Sequence, residues 1–118
     1  MHAPSASPIN IEALDAQTGG DRALARELFE ILEQDASPQL ARIRGALSTG
    51  ECLEVRAAAH RLRGALLALG APAAAEAAGM LEKQAVLSEQ SGSCCCDASV
   101  IDTLESEILR SIEFGKQL

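Results

Sequence analysis

Apolar residues recur through most of this chain at three- and four-residue intervals, the spacing of helix faces, and nowhere alternate as strand residues do. Ile9, Ala13 and Leu14 mark a short helix over Ile9–Gln17, ended by Gly19-Gly20. Asp21 is a good N-cap for RALARELFEILEQ, in which Leu24, Leu28, Ile31 and Leu32 form a stripe. Ser37-Pro38 reads either as the start of a new helix or as a kink within one. Leu40, Ile43 and Leu47 continue the stripe, which favours one long bent helix to about Leu47, closed by Ser48-Thr49-Gly50. A further helix runs from Glu51 to about Leu69, where Gly70 stops it. Pro72 restarts the chain at once as PAAAEAAGMLEKQAVLSEQ, so these two helices are antiparallel neighbours. SGSCCCDAS is a loop. Ser99-x-x-Asp102 resembles a capping box before a last helix through Phe114, whose apolar face is Ile101, Leu104, Ile108 and Ile112.

No single helix of this set buries its stripe alone. The expected fold is therefore all-α, an antiparallel four-helix bundle with a short extra N-terminal helix. Residues 1–8 read as a flexible tail and 9–114 as one domain, a size consistent with the 118 residues available for a single modest core. Composition supports the class. Hydrophobic residues make up 47% of the chain but only two Phe are aromatic, so the core must be built from Ala, Leu, Ile and Val. Ala and Leu are also the strongest helix formers.

The formal charge of −7 argues against nucleic acid as a partner, because a phosphate backbone attracts cations. There is no basic amphipathic stretch suited to anionic lipid and no apolar run long enough to span a bilayer. MHAPSASP lacks the pattern of a signal peptide, so a cytoplasmic protein is expected. Four cysteines raise metal and disulfide chemistry. Cys94, Cys95 and Cys96 are consecutive, whereas structural zinc sites place two to four residues between paired ligands. No metal site is expected; the loop fits a reducing compartment, and Cys52 is a lone, half-buried thiol.

One stretch stands apart: AAAHRLRGALLALGA, residues 57–71, which holds the only histidine besides His2. At helical pitch Val55, Ala59, Leu62, Leu66 and Leu69 fall in one apolar stripe, and His60 lies about 140° from its centre. It faces outward. Arg56, Arg63 and Gly64 lie within a turn of it, and Leu53 and Leu67, seven residues away on either side, project in nearly the same direction. Three of the ten basic residues of an acidic chain fall within Arg56–Arg63. Singly these features are ordinary surface. A mid-helix glycine in so alanine-rich a chain, however, costs about 1 kcal/mol and suggests that something must approach the backbone beside His60.

The same residues resemble the signature of histidine-containing phosphotransfer (HPt) domains, Ala-His-x-Leu-Lys-Gly followed by small residues and Gly-Ala. Ala59, His60, Leu62, Gly64, Gly70 and Ala71 match in register, with Arg63 in the lysine's place. Leu81-Glu82 matches the Leu-Glu that commonly follows, and GGDRALARELFEILEQDASPQLARIRGALSTGE is similar to the family's preceding long helix and turn. The resemblance spans roughly residues 9–114. It implies a four-helix bundle that accepts a phosphoryl group on His60, at Nε2, from a receiver-domain aspartyl phosphate and passes it to another receiver. It further implies that Arg63 neutralises phosphoryl charge, that Gly64 gives steric access, and that Glu82 orients the imidazole. Leu53, Arg56, Arg61 and Leu67 would dock the partner. Receiver domains and a hybrid sensor histidine kinase are the implied partners of a monomeric carrier. The carrier itself is no enzyme and holds no cofactor, Mg²⁺ residing on the receiver. Neutral imidazole is a competent nucleophile near neutral pH, which suits the role. Arg63, and Ala65-Leu66 after the glycine, depart from the family pattern, as do Ala74 and Ala78, where relatives more often carry Leu and Cys. The competing expectation is a non-catalytic bundle that docks a partner without taking phosphate; a metal or redox protein built on the cysteine loop ranks last.

Overall fold

A computed structural model describes residues 7–92 and 97–118. Cys94, Cys95 and Cys96, and most of the expected N-terminal tail, lie outside the described residues. The described chain is helical throughout: α1 (Ile11–Thr18), α2 (Arg22–Thr49), α3 (Cys52–Ala68), α4 (Pro72–Ser91) and α5 (Ala98–Lys116). Packing joins α2 to α3, α3 to α4, α4 to α5 and α5 back to α2, with no diagonal pair in contact, which is a four-helix bundle. Cross-helix ion pairs give the directions. Arg44 meets Asp102 and Glu105 while Lys116 meets Glu33, so α2 and α5 run antiparallel. Arg56 meets Glu89 while His60 meets Glu82, so α3 and α4 do likewise.

Local chemistry sets most of the ends. Asp21 accepts from the Leu24 N–H as expected and caps α2. Gly50, at φ +74°, closes that helix in the left-handed conformation. Pro38 sits inside an uninterrupted α2, so the one-helix alternative is the right one. A proline there deprives the Gln34 carbonyl of its partner. Both residues are exposed, where water can take that place.

Four expectations at the level of elements need correction. The first helix starts at Ile11, capped by the Asn10 side chain, and Ile9 is buried ahead of it. On α2 the core stripe is Ala25, Phe29, Leu32, Ala36, Leu40, Ile43 and Ala46, while Leu24 and Ile31 lie on the surface. The alanines let α2 approach α3 and α5 closely, and Phe29 turns inward where Gly115 of α5 leaves room for its ring. The cap of the last helix is Asp97, which accepts from the Ser99 N–H at 2.9 Å, and Asp102 is turned outward to Arg44 instead. That helix continues past Phe114 to Lys116. Its expected apolar face of Ile101, Leu104, Ile108 and Ile112 is buried. Close packing continues to its end: a Cβ on Gly115 would come within 2.6 Å of Phe29 Cβ.

Two features place the site. The α3–α4 pair is the most intimate in the bundle and is lined by buried Ala58, Ala59, Ala74, Ala75 and Ala78. Small side chains let the two backbones approach, which brings the outer edges of α3 and α4 within side-chain reach of each other. The turn between them is held by α1. Gly70, at φ +70°, accepts through its carbonyl from the Asn10 N–H at 2.6 Å, and a Cβ there would lie 2.8 Å from the Asn10 oxygen. Only glycine fits that conformation and that contact together.

Candidate functional site at His60

The α3 wheel holds as read. Val55, Ala59, Leu62, Leu66 and Leu69 are buried, joined by Ala58, and His60 faces solvent with its side chain 70% exposed. Its imidazole is nevertheless fixed. Nδ1 lies 2.8 Å from Oε2 of Glu82 on α4, whose carboxylate is only 21% exposed. An ionised Glu82 carboxylate can only accept, so in the neutral imidazole this contact puts the hydrogen on Nδ1. The nucleophilic lone pair is then on Nε2, which has no partner among the described residues. A ring oriented by a sheltered acceptor and presented to solvent can attack an electrophile brought by a partner.

The surrounding residues divide into those already engaged and those still free. Arg56 reaches across to Glu89 at 3.9 Å, so it is partly committed to the α3–α4 edge. Arg61 and Arg63 are exposed and make no ion pair among the described residues, and the same holds for Lys83, next in the chain after Glu82. Most other cations of the bundle are paired, as Arg22 is with Asp15, Arg42 with Glu54 and Arg44 with Asp102. Arg26 on α2 also lacks an ion pair among the described residues, but Arg61, Arg63 and Lys83 all lie on the two helices that carry His60 and Glu82. Sequence reasoning passed over Lys83; its signal was a basic residue adjoining Glu82 on an exposed helix face.

Gly64 is exposed, and a Cβ built there would meet nothing within 4 Å. Nothing inside the bundle requires a glycine at that position. Leu53 and Leu67 are 63% and 51% exposed, an apolar residue on each flank of His60 along α3. Beyond Leu67 a groove opens between α3 and α4, lined by Arg63, Leu67, Gly79, Glu82, Lys83 and Leu87 among others. Met80 and Leu87 on α4 give that lining exposed apolar surface, which the sequence reading did not single out. Among the described residues no group of three or more His, Cys, Asp or Glu is placed to hold a metal ion. No helix among the described residues is long and apolar enough to cross a membrane.

No curated protein and no solved structure matches the chain. The family model of the Hpt domain matches residues 27–112, well over half of the sequence, from the second turn of α2 to the last turns of α5. That span contains the His60–Glu82 pair, the whole of α3 and α4 and most of α2 and α5, and the chain belongs to the Hpt domain family, the histidine phosphotransfer modules of phosphorelays.

Proposed function

We propose that this protein carries phosphoryl groups between receiver domains of a multistep two-component relay, with His60 as the phosphoacceptor. The observation that carries the reading is an exposed imidazole oriented through Nδ1 by Glu82, with unpaired cations around it. The Nε2 lone pair forms the N–P bond as the acyl-phosphate O–P bond of the receiver breaks and the aspartate carboxylate leaves. No proton has to move in that step, because Nδ1 keeps its hydrogen against Glu82. Transfer to the next receiver is the reverse reaction with a new aspartate as nucleophile.

Such a transfer depends on positioning and charge neutralisation, both of which the carrier can supply without acid–base groups of its own. Arg63 is placed to meet phosphoryl charge, and its planar fork can engage two oxygens at once where lysine offers a point charge. Gly64 leaves the backbone open to the receiver's active-site rim. Leu53 and Leu67 form the apolar ends of the docking surface, with Arg61 and Arg56 steering an acidic partner. Mg²⁺ belongs to the receiver's acidic site on this reading, and the carrier acts as substrate for the receiver's catalysis. A hybrid sensor histidine kinase is the upstream source, and a cytoplasmic monomer is the form in which the chain acts.

The test is direct. A receiver carrying labelled aspartyl phosphate is incubated with the chain, then with a second receiver. The chain should gain acid-labile, base-stable label and pass it on, and His60→Gln should gain none. Absence of label with every receiver tried, or label persisting in His60→Gln, would leave the bundle as a docking module that takes no phosphate.

A further inference from the structure

We propose that Gly79 is a positioning residue for this transfer: it seats the stem of Arg63 against α4 and so fixes the guanidinium beside the His60–Glu82 pair. The proposal rests on the reading of His60 as phosphoacceptor. Three observations carry it. Gly79 stands in the middle of an alanine-built helix, where alanine would be the more stable residue. Its φ is not positive, so the backbone does not demand glycine. Arg63 instead lies against the bare backbone there: a Cβ at position 79 would make ordinary contact, at 3.5 Å, with both its Cδ and its Nε.

Arg63 has no ion pair or hydrogen bond among the described residues, so packing alone decides where its charge rests. Long cationic side chains commonly lay their stems on apolar surface and keep the head group in water. Here the surface is the gap left by Gly79, in the same groove that Glu82 lines. The register makes the placement specific. Arg63 lies three residues after His60 on α3, and Gly79 lies three before Glu82 on antiparallel α4. Arg63 therefore rests over Gly79 one turn from where His60 meets Glu82. A pre-seated guanidinium loses less rotamer freedom when it meets the phosphoryl oxygens than a free one would. Gly64 and Gly79 thus differ in kind: the first faces open space, the second is filled by the side chain that neutralises the charge.

Substitutions at position 79 test this through the rate of label transfer from a phosphorylated receiver. At 3.5 Å an added methyl makes ordinary contact with the Arg63 stem, so Gly79→Ala should fold and melt no lower than the parent. Gly79→Gln places a long helix-forming side chain in the seat, and its rate should fall about tenfold, as for other losses of positioning. Arg63→Ala should show a similar fall, and the double variant no further one. A parent rate in Gly79→Gln, or losses that add in the double variant, would overturn the seat. In the parent chain, nuclear Overhauser contacts between the Gly79 α-protons and the Arg63 δ-protons are expected whatever any variant does, and their absence would also overturn it. If the parent chain takes no label, the phosphocarrier reading falls and the proposal with it. If it takes label while the seat fails these tests, the proposal falls alone.

Discussion

At the scale of single residues, Glu82 and Gly64 do opposite things: one constrains His60 and the other keeps the way to it clear. An amide oxygen can accept from Nδ1–H as a carboxylate does, but a methyl group cannot. Glu82→Gln should therefore keep most of the transfer rate, and Glu82→Ala should lose about tenfold because the ring is free to turn. Equal rates in all three forms, measured by label transfer, would remove Glu82 from the account. Gly64→Ala should stabilise the fold by about 1 kcal/mol, as alanine does in an open helix interior. Gly45→Ala, equally free of neighbours, should do the same. Only the first should slow transfer, and a Gly64→Ala chain that melts higher and transfers at the parent rate would show that no partner backbone approaches there. The outward direction of His60 was legible in the sequence because it follows from pitch alone. The Arg56–Glu89 contact and the seat of Arg63 on Gly79 were not, because they depend on the register of α3 against α4, which pitch does not set.

At the scale of elements, the number, order and approximate extent of the helices could be read from period and punctuation. The errors came where two chemically similar choices competed. On α2 the leucine at 24 and the isoleucine at 31 look more like core than the alanines at 25 and 36, yet the bundle buries the alanines. Hydrophobicity ranks residues by transfer energy, whereas a helix with two close neighbours selects also for size. At the start of α5 both Asp97 and Ser99 are good caps, and the aspartate takes the position. The Ser99 backbone N–H, donating to its ionised carboxyl, holds Asp97 below the ordinary aspartate range. Because the folded-state pKa lies below the unfolded one, the cap contributes fully above the unfolded value and is lost as pH falls through the folded one. Asp97→Ala should accordingly melt below the parent at neutral pH, with the gap narrowing as pH falls below about 3.9. Asp97→Asn, a cap that does not titrate, should keep its melting temperature closer to the parent and depend less on acid. Thermal melts across pH read this out, and a pH-independent gap for Asp97→Ala would contradict it.

At the scale of the whole molecule, four cations of this acidic protein make no ion pair among the described residues. Three of the four, Arg61, Arg63 and Lys83, lie on the two helices that carry His60 and Glu82, Arg26 on α2 being the fourth. The carboxylates that give the net charge of −7 are in many places neutralised across helices, while Arg61, Arg63 and Lys83 are left for a partner. Steering by exposed charges is screened beyond about 8 Å at physiological salt. Transfer from a receiver should thus slow as ionic strength rises, and Arg61→Glu with Lys83→Glu should slow it further by reducing association more than dissociation. A rate indifferent to both salt and charge reversal would mean that docking is apolar, through residues such as Leu53 and Leu67. The central claim is that this bundle presents Nε2 of His60 for phosphorylation while Glu82 keeps the proton on Nδ1. Nitrogen-15 and phosphorus-31 magnetic resonance of histidine-labelled protein, after exposure to a phosphorylated receiver, tests it at the atoms concerned. Phosphorus coupling to Nε2 of His60 alone is expected, with the hydrogen still on Nδ1. Coupling to Nδ1, coupling to His2, or no phosphorus on either ring would contradict it.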